Sequence, residues 1–240
     1  MIQNSAINGL RVAITGGTSG LGLALVRQLT QDGAHVAFVA RSAGDAERVT
    51  TETGAIGIVG DVSRKDDIYP TALQITGNLG GLDVLINNAS SLGPTPLVPL
   101  ADTDCEDLEE ALSVNVVGPF RLTKALFGAL AAAAREGRGG TVVNISSDAA
   151  VNAYPRWGAY GASKAALRHM TAIWDEEVSD AGIRFLSVDP GDMDTPLHAL
   201  ADPDADPSTL KRPTDSASEV IEAFLATRPI NDATERAVSA

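Results

Sequence analysis

A single cysteine, Cys105, stands in a chain of 240 residues. One thiol cannot close an intramolecular disulfide or build a cysteine-rich metal site. It lies in the acidic stretch 102–110, where negative neighbours oppose thiolate formation, so its expected role is structural. Histidines are also few, three in all. His35 begins an apolar run, His169 falls nine positions beyond Tyr160 on the same helical segment, and His198 lies in an irregular stretch where contact with a substrate is feasible. The acidic clusters 102–110 and 202–206 lack metal-ligand spacing and read as solvated surface. No metal is expected. Basic residues are outnumbered, 18 Lys and Arg against 31 Asp and Glu, for a formal net charge of −13. Such a surface repels nucleic acid and anionic membrane, so neither is an expected partner. No uninterrupted apolar stretch is long enough to span a bilayer. The opening MIQNSAINGL has no basic region followed by an apolar run, the mark of a signal peptide. The expected location is cytoplasmic.

What is present is an apolar fraction of 44%, enough for one sizeable core. Short runs rich in β-branched residues recur at Arg11–Thr15, His35–Ala40, Ala55–Gly60, Leu82–Asn87, Thr141–Ile145 and Ile183–Val188. Runs without polar alternation predict strands buried on both faces of a parallel sheet. Helical patterns lie between them at Leu21–Thr30, Gly44–Thr53, Ser63–Asn78, Cys105–Arg135 and Ala159–Ala181. The alternation predicts a single α/β domain over residues 1–240, a Rossmann-type doubly wound parallel sheet flanked by helices. Residues 192–213 break the pattern with prolines and aspartates and predict a surface lid over a substrate. A last helix is expected over 216–227 and a short edge strand at 236–238.

The first strand runs into Thr15-Gly16-Gly17-Thr18-Ser19-Gly20-Leu21-Gly22 and then a helix. Glycines let backbone N–H groups approach a pyrophosphate, and a helix N-terminus favours its charge. The spacing is Gly16-x-x-x-Gly20-x-Gly22. An acidic residue at the end of the second strand would bind the ribose hydroxyl of NAD. Here that strand ends Ala40-Arg41-Ser42, and Arg41 suits a 2′-phosphate, so NADP(H) is expected over NAD(H). Further on, Tyr160 and Lys164 are four apart on a helix and share a face. A nearby ammonium stabilises a phenolate and is expected to lower the tyrosine pKa. The fifth strand ends Asn144-Ile145-Ser146-Ser147, at the sheet edge where open α/β folds bind ligands.

Together these motifs resemble the short-chain dehydrogenase/reductase family, in its single-domain branch, from the first strand to Thr195. The matches are the Thr15–Gly22 turn, Asp61 after the third strand, Asn87-Asn88-Ala89 after the fourth, Ser147 with Tyr160-x-x-x-Lys164, and Pro190-Gly191 after the sixth. Asn115 falls where the family places a catalytic asparagine. Ser147 lies 13 residues before Tyr160, with Ser146 as the alternative. The resemblance implies hydride transfer between nicotinamide and a carbonyl or alcohol carbon. It implies Tyr160 as proton donor, Lys164 holding the nicotinamide ribose and lowering the tyrosine pKa, Ser147 orienting the substrate oxygen, and Asn115 holding a water of the proton relay. Asp61 and Val62 would line the adenine pocket, and Asn88 and Ala89 would pass along the cofactor. Pro190 and Gly191 would wall the nicotinamide, and Thr195 would touch its carboxamide. Ser90 stands where the family usually has glycine, and the C-terminus lacks the family's usual closing strand.

The expected substrate is a small, mainly uncharged ketone or aldehyde, because 90–99, 149–159 and 192–200 offer mostly apolar walls. Tyr154 and Trp157 could belong to them. Two rivals remain: an NADP-dependent epimerase or dehydratase, and a cofactor-binding regulator without turnover. The apolar circumference of 120–135 and the resemblance together predict a homodimer.

Overall fold

The strand β1 (Arg11–Thr15) is buried on both faces because Val12, Ala13 and Ile14 offer no polar side to water. A computed structural model describes residues 6–228 of the chain. After β1 come α1 (Gly20–Gln31), β2 (His35–Ala40), α2 (Ala43–Thr53), β3 (Ile56–Val59), α3 (Lys65–Leu79) and β4 (Val84–Asn87). The second half holds α4 (Cys105–Leu112), α5 (Gly118–Arg135), β5 (Gly140–Ile145), α6 (Gly158–Val178), β6 (Ile183–Val188), α7 (Pro196–Ala201) and α8 (Pro213–Leu225). The six strands form one parallel sheet in the order β3-β2-β1-β4-β5-β6. The strand order reverses between β1 and β4, which opens a crevice at their C-terminal ends.

One face of the sheet packs Phe38 and Ile86 against Leu25 and Leu29 of α1 and Val220 and Phe224 of α8. The other packs Leu85 and Val142 against Ile75 of α3 and Leu122, Leu126 and Leu130 of α5. Buried Asn87 donates to Asn144 at 2.8 Å, and Asn144 donates to Thr171 of α6 at 2.9 Å. This polar ladder ties two strands and a helix together just below the crevice. At the opposite edge, Asp83 is fully buried and accepts from Arg138 at 2.6 Å and Arg11 at 2.7 Å. Burial pushes its carboxyl up, but the two arginines prevail and hold it at about 2.

Several boundaries depart from expectation for local reasons. Ser63 folds back on Asp61, its N–H and hydroxyl both donating to Asp61 Oδ1, so α3 begins two residues later. Residues 105–135 contain a π-turn at Ser113–Val117. Pro119 has no N–H to return to the Asn115 carbonyl four residues back, and the turn widens. The whole of Cys105–Arg135 is long and apolar enough, by length and composition, to cross a bilayer. Charged Arg121 and Lys124 interrupt it, and the buried side of α5 faces the sheet. Pro213 opens α8, as proline does at a first helical position, and draws its start forward from 216. Residues 192–213 are not without structure: Thr195 caps α7 through its hydroxyl, and Lys211 N–H donates to the Asp192 carbonyl. The strand expected at 236–238 lies outside the described residues.

Candidate active site

The crevice is a cleft of about 1220 Å³ that runs from the β1–α1 turn to α7. At its first end, Gly16 and Gly20 adopt φ of 69° and 48°, a left-handed region that favours glycine. A Cβ on Gly22 would stand 2.1 Å from the Gly16 carbonyl oxygen, so the turn can close on itself only with glycine there. Thr15 Oγ1 accepts from the N–H groups of Asn88 and Ala89 at 2.9 and 3.0 Å. Asn88 Nδ2 donates back to Thr15 O and Gly16 O. The two strand ends are thereby locked side by side. The first turn of α1 has no acidic residue, and Ser19 makes no side-chain cap. Its leading N–H groups can therefore serve an anion. A backbone cradle of this shape fits the pyrophosphate of a dinucleotide.

Thr18, Ser19, Leu21, Arg41, Asp61, Val62, Asn88 and Ala89 line the wall along with Gly16 and Gly22. Thr15, Gly20 and Ser42 do not. Thr15 is buried beneath the turn, Gly20 begins α1, and Ser42 caps α2 by accepting from Asp45 N–H. Arg48 Nη2 donates to the Thr18 carbonyl at 3.1 Å and braces the turn from outside.

Tyr160 lies in the first turn of α6 and Lys164 one turn later, both buried and both on the cleft. Gly161 brings the helix close to the β5 loop; a Cβ there would be 3.0 Å from Ala149 O. Lys164 Nζ donates to the Ile145 carbonyl at 2.8 Å and stands 5.4 Å from the Tyr160 ring centroid. Trp157 meets the same ring edge-on at 5.6 Å. Ser147 lines the cleft, its hydroxyl donating to Asp148 Oδ1 and accepting from Ala149 N–H. Pro190, Gly191 and Thr195 complete the far wall.

Electrostatics differ from the sequence expectation. Burial is the main influence on the Tyr160 phenol and pushes it up to about 12; hydrogen bonding from Ser147 and Ser90 opposes it, while Asp189 and Asp148 add to it. Burial also lowers Lys164 to about 8, with Asp189 opposing. The phenol is thus governed by desolvation rather than by the ammonium. Both groups are pressed toward their neutral forms.

Asn115 lies behind the cleft wall, buried in the π-turn, and its side chain is fully engaged. Nδ2 donates to Ser91 O and Ser163 Oγ, and Oδ1 accepts from Ser91 N–H and Ser90 Oγ. Ser163 in turn donates to the Tyr160 carbonyl at 2.7 Å. Asn115 therefore splices the loop after β4 to the tyrosine turn. Sequence reasoning missed Asp189, although its place just before Pro190-Gly191 was a usable signal. It also gave Ser90 no role; here its hydroxyl reaches Asn115 and acts on Tyr160.

The model of the short chain dehydrogenase family matches residues 11–206. An uncharacterized oxidoreductase of Mycobacterium bovis is 34% identical over 202 residues, 81% of this chain and 58% of that protein. The chain thus spans little more than half the length of that relative. The 2,5-dichloro-2,5-cyclohexadiene-1,4-diol dehydrogenase of Sphingobium indicum is 32% identical over 195 residues, covering 80% of this chain and 76% of its own. Among solved structures, a 3-ketoacyl-(acyl-carrier-protein) reductase of Brucella melitensis complexed with NADH superposes with a TM-score of 0.84 at 28% identity, over 91% of both chains. A short chain dehydrogenase of Shigella flexneri complexed with NADP gives 0.80 at 26% identity, over 90% of this chain and 91% of that one.

Proposed function

The chain belongs to the short chain dehydrogenase family, and from that premise we propose that it is an NADP(H)-dependent reductase of small ketones or aldehydes. The observation that carries this is the meeting of Ser147, Tyr160 and Lys164 on one wall of a cleft that begins at the glycine cradle. When bound, the dinucleotide supplies the hydride. The residues do the rest. Ser147 offers a hydroxyl to the substrate oxygen. Tyr160, pushed up to about 12, retains its proton at neutral pH and donates it to that oxygen. Lys164, fixed to the Ile145 carbonyl, holds the ring face and would meet the nicotinamide ribose. Asn115 keeps this geometry by joining two walls. Replacing Tyr160 with Phe tests the reading: NADPH oxidation over a panel of ketones and aldehydes should fall at least about a hundredfold. Undiminished turnover would remove Tyr160 from the reaction.

The preference for NADP(H) rests on Arg41, which lines the cleft where β2 ends, and on the lack of a carboxylate at that point. Arg64 joins Arg41 around an adjoining recess and strengthens the case. Arg41→Ala should weaken NADPH far more than NADH. A wild-type protein that prefers NADH would overturn this.

The surface of α5 and α6 supports a homodimer. Phe120 and Ile173 are exposed, and Trp174 stacks on Phe185 and touches Phe127 beside them. Light scattering at dilute concentration decides it, and a stable monomer would refute it. Residues 192–202 line the cleft mouth in the way a substrate lid would, and the acidic chain suits the cytoplasm.

A further inference from the structure

The two ends of the cleft differ in charge. Near the glycine turn the wall carries Arg41. Beyond Tyr160 its carboxylates include those of Asp102, Asp107, Glu110, Asp148, Asp192 and Asp202. Among the described residues, that part of the wall has no basic side chain apart from Lys164 at the reacting point and His198. Among the described residues, none of these six carboxylates belongs to an ion pair. Lys211 lies behind Gly191 but is bound to Glu219 at 2.8 Å.

Two of these carboxylates follow the neighbouring strands β5 and β6, and both act on the Tyr154 phenol. Asp148 follows Ser147 after β5, and Asp192 follows Gly191 after β6. Tyr154 Oη donates to Asp148 Oδ2 at 2.6 Å. That bond, together with the negative charges of Asp148 and Asp192, holds the Tyr154 phenol above its usual pKa. Trp157, next on the same loop, lies edge-on to Tyr160. Carboxylates beside aromatic faces make a site for an alkylammonium, which gains from both charge and ring quadrupole. An independent feature points to an occupant. Ser146 is 5% exposed and lines the same cleft, yet its Oγ has no hydrogen-bond partner among the described residues. A buried hydroxyl left unpaired is costly unless something completes it.

Resting on the reductase reading above, we propose that the substrate is a carbonyl compound bearing a cationic amine-derived group, held by Asp148 and Asp192 against Tyr154 and Trp157. This narrows the expectation of a mainly uncharged substrate. The apolar side chains Leu92, Val98 and Leu197 of the wall accommodate the carbon frame. Carbonyl compounds bearing carboxylate or phosphate are disfavoured by the same surface.

The test compares three methyl ketones of one length in the NADPH-dependent assay. One carries trimethylammonium on a propyl tether, one its neutral tert-butyl isostere, and one the matching carboxylate. The cationic ketone should exceed the neutral one in kcat/KM by about tenfold, and the carboxylate should be the poorest. In Asp148→Asn with Asp192→Asn, the cation-to-neutral ratio should collapse toward unity. The ratio also cancels any general loss of activity in the variant. Independently of any variant, added salt should shrink the preference. Calorimetric titration of the same ketones into Tyr160→Phe loaded with NADP reads the preference whether or not turnover occurs. Equal binding of cationic and neutral ketones, or a preference that survives in the double variant, overturns the inference while leaving the reductase reading intact. No NADPH-dependent turnover of any ketone or aldehyde overturns the reductase reading instead.

Discussion

Replacing Lys164 with methionine should stabilise the protein while destroying its activity. The amine is buried, and burial lowers it from 10.5 to about 8. A difference of roughly 2.5 units, at about 1.36 kcal/mol each, means that holding the charged amine in the fold costs about 3 kcal/mol below pH 8. Methionine fills similar space without charge. The variant loses the charge-assisted hydrogen bond to the Ile145 carbonyl, worth about 2 kcal/mol. A net gain of about 1 kcal/mol at pH 7 remains. Its pH dependence has a definite sign. Between pH 8 and 10.5 the unfolded lysine keeps its proton and the folded one does not. Wild-type stability from this group therefore rises across that window, and the advantage of the variant vanishes by about pH 10. Urea unfolding followed by circular dichroism at pH 7 and pH 10 measures both ends. NADPH-dependent turnover should meanwhile fall at least about a hundredfold. A variant less stable than wild type at pH 7, or equally advantaged at both pH values, would refute the claim that burial governs this lysine.

Gly22→Ala places a Cβ 2.1 Å from the Gly16 carbonyl, so the cradle must open; NADPH affinity by fluorescence titration should drop at least about tenfold, and unaltered affinity would show that the turn does not hold the cofactor. Asp83→Asn removes the charge between Arg11 and Arg138 and should lower stability at pH 7 by about 3 kcal/mol. Because the folded carboxyl is held near 2 and its ordinary value is 3.8, the stability it confers is complete above pH 3.8 and is lost as pH falls through about 2. The deficit of the variant should thus narrow by about 1 kcal/mol between pH 7 and pH 3, and a pH-independent deficit in urea melts would contradict the depressed value.

The sheet was readable because its strands are buried on both faces: runs such as Val36–Ala40 or Val84–Ile86 admit few other roles. The glycine turn was readable because its chemistry is backbone chemistry, and only glycine fits at Gly22. The Tyr160 and Lys164 pair was readable because helical spacing fixes which side chains share a face. Other features depend on what the fold brings together. Nothing in the spacing of Asn115 announces that its amide will be consumed by Ser91 and Ser163, since those partners are 24 and 48 residues away. α7 escaped detection because six residues make less than two turns, too few for a period to emerge. The burial that acts on Tyr160 was out of reach for the same reason. Sequence shows the ammonium four residues away, but the desolvation that outweighs it is a property of the assembled walls.

The two edges of the sheet therefore do opposite things with buried charge. At the N-terminal edge, Asp83 is met by two guanidiniums, its lone pairs are satisfied, and its charge is held firmly. At the C-terminal edge, Lys164 is buried with one carbonyl for a partner, Tyr160 with weak support from two hydroxyls, and Ser146 with none. A site completed within the protein would leave nothing to gain on binding. The polar groups around Tyr160 keep unmet capacity in a place walled off from water, and such capacity is satisfied only by an occupant that brings an oxygen to the phenol and the serines. Rigidity comes from elsewhere: the Asn87–Asn144–Thr171 ladder beneath and the Asn115 splice behind fix the walls so that the unmet groups cannot relax onto one another. Loosening that frame should let the reacting groups satisfy themselves, at the expense of the transition state rather than of the fold.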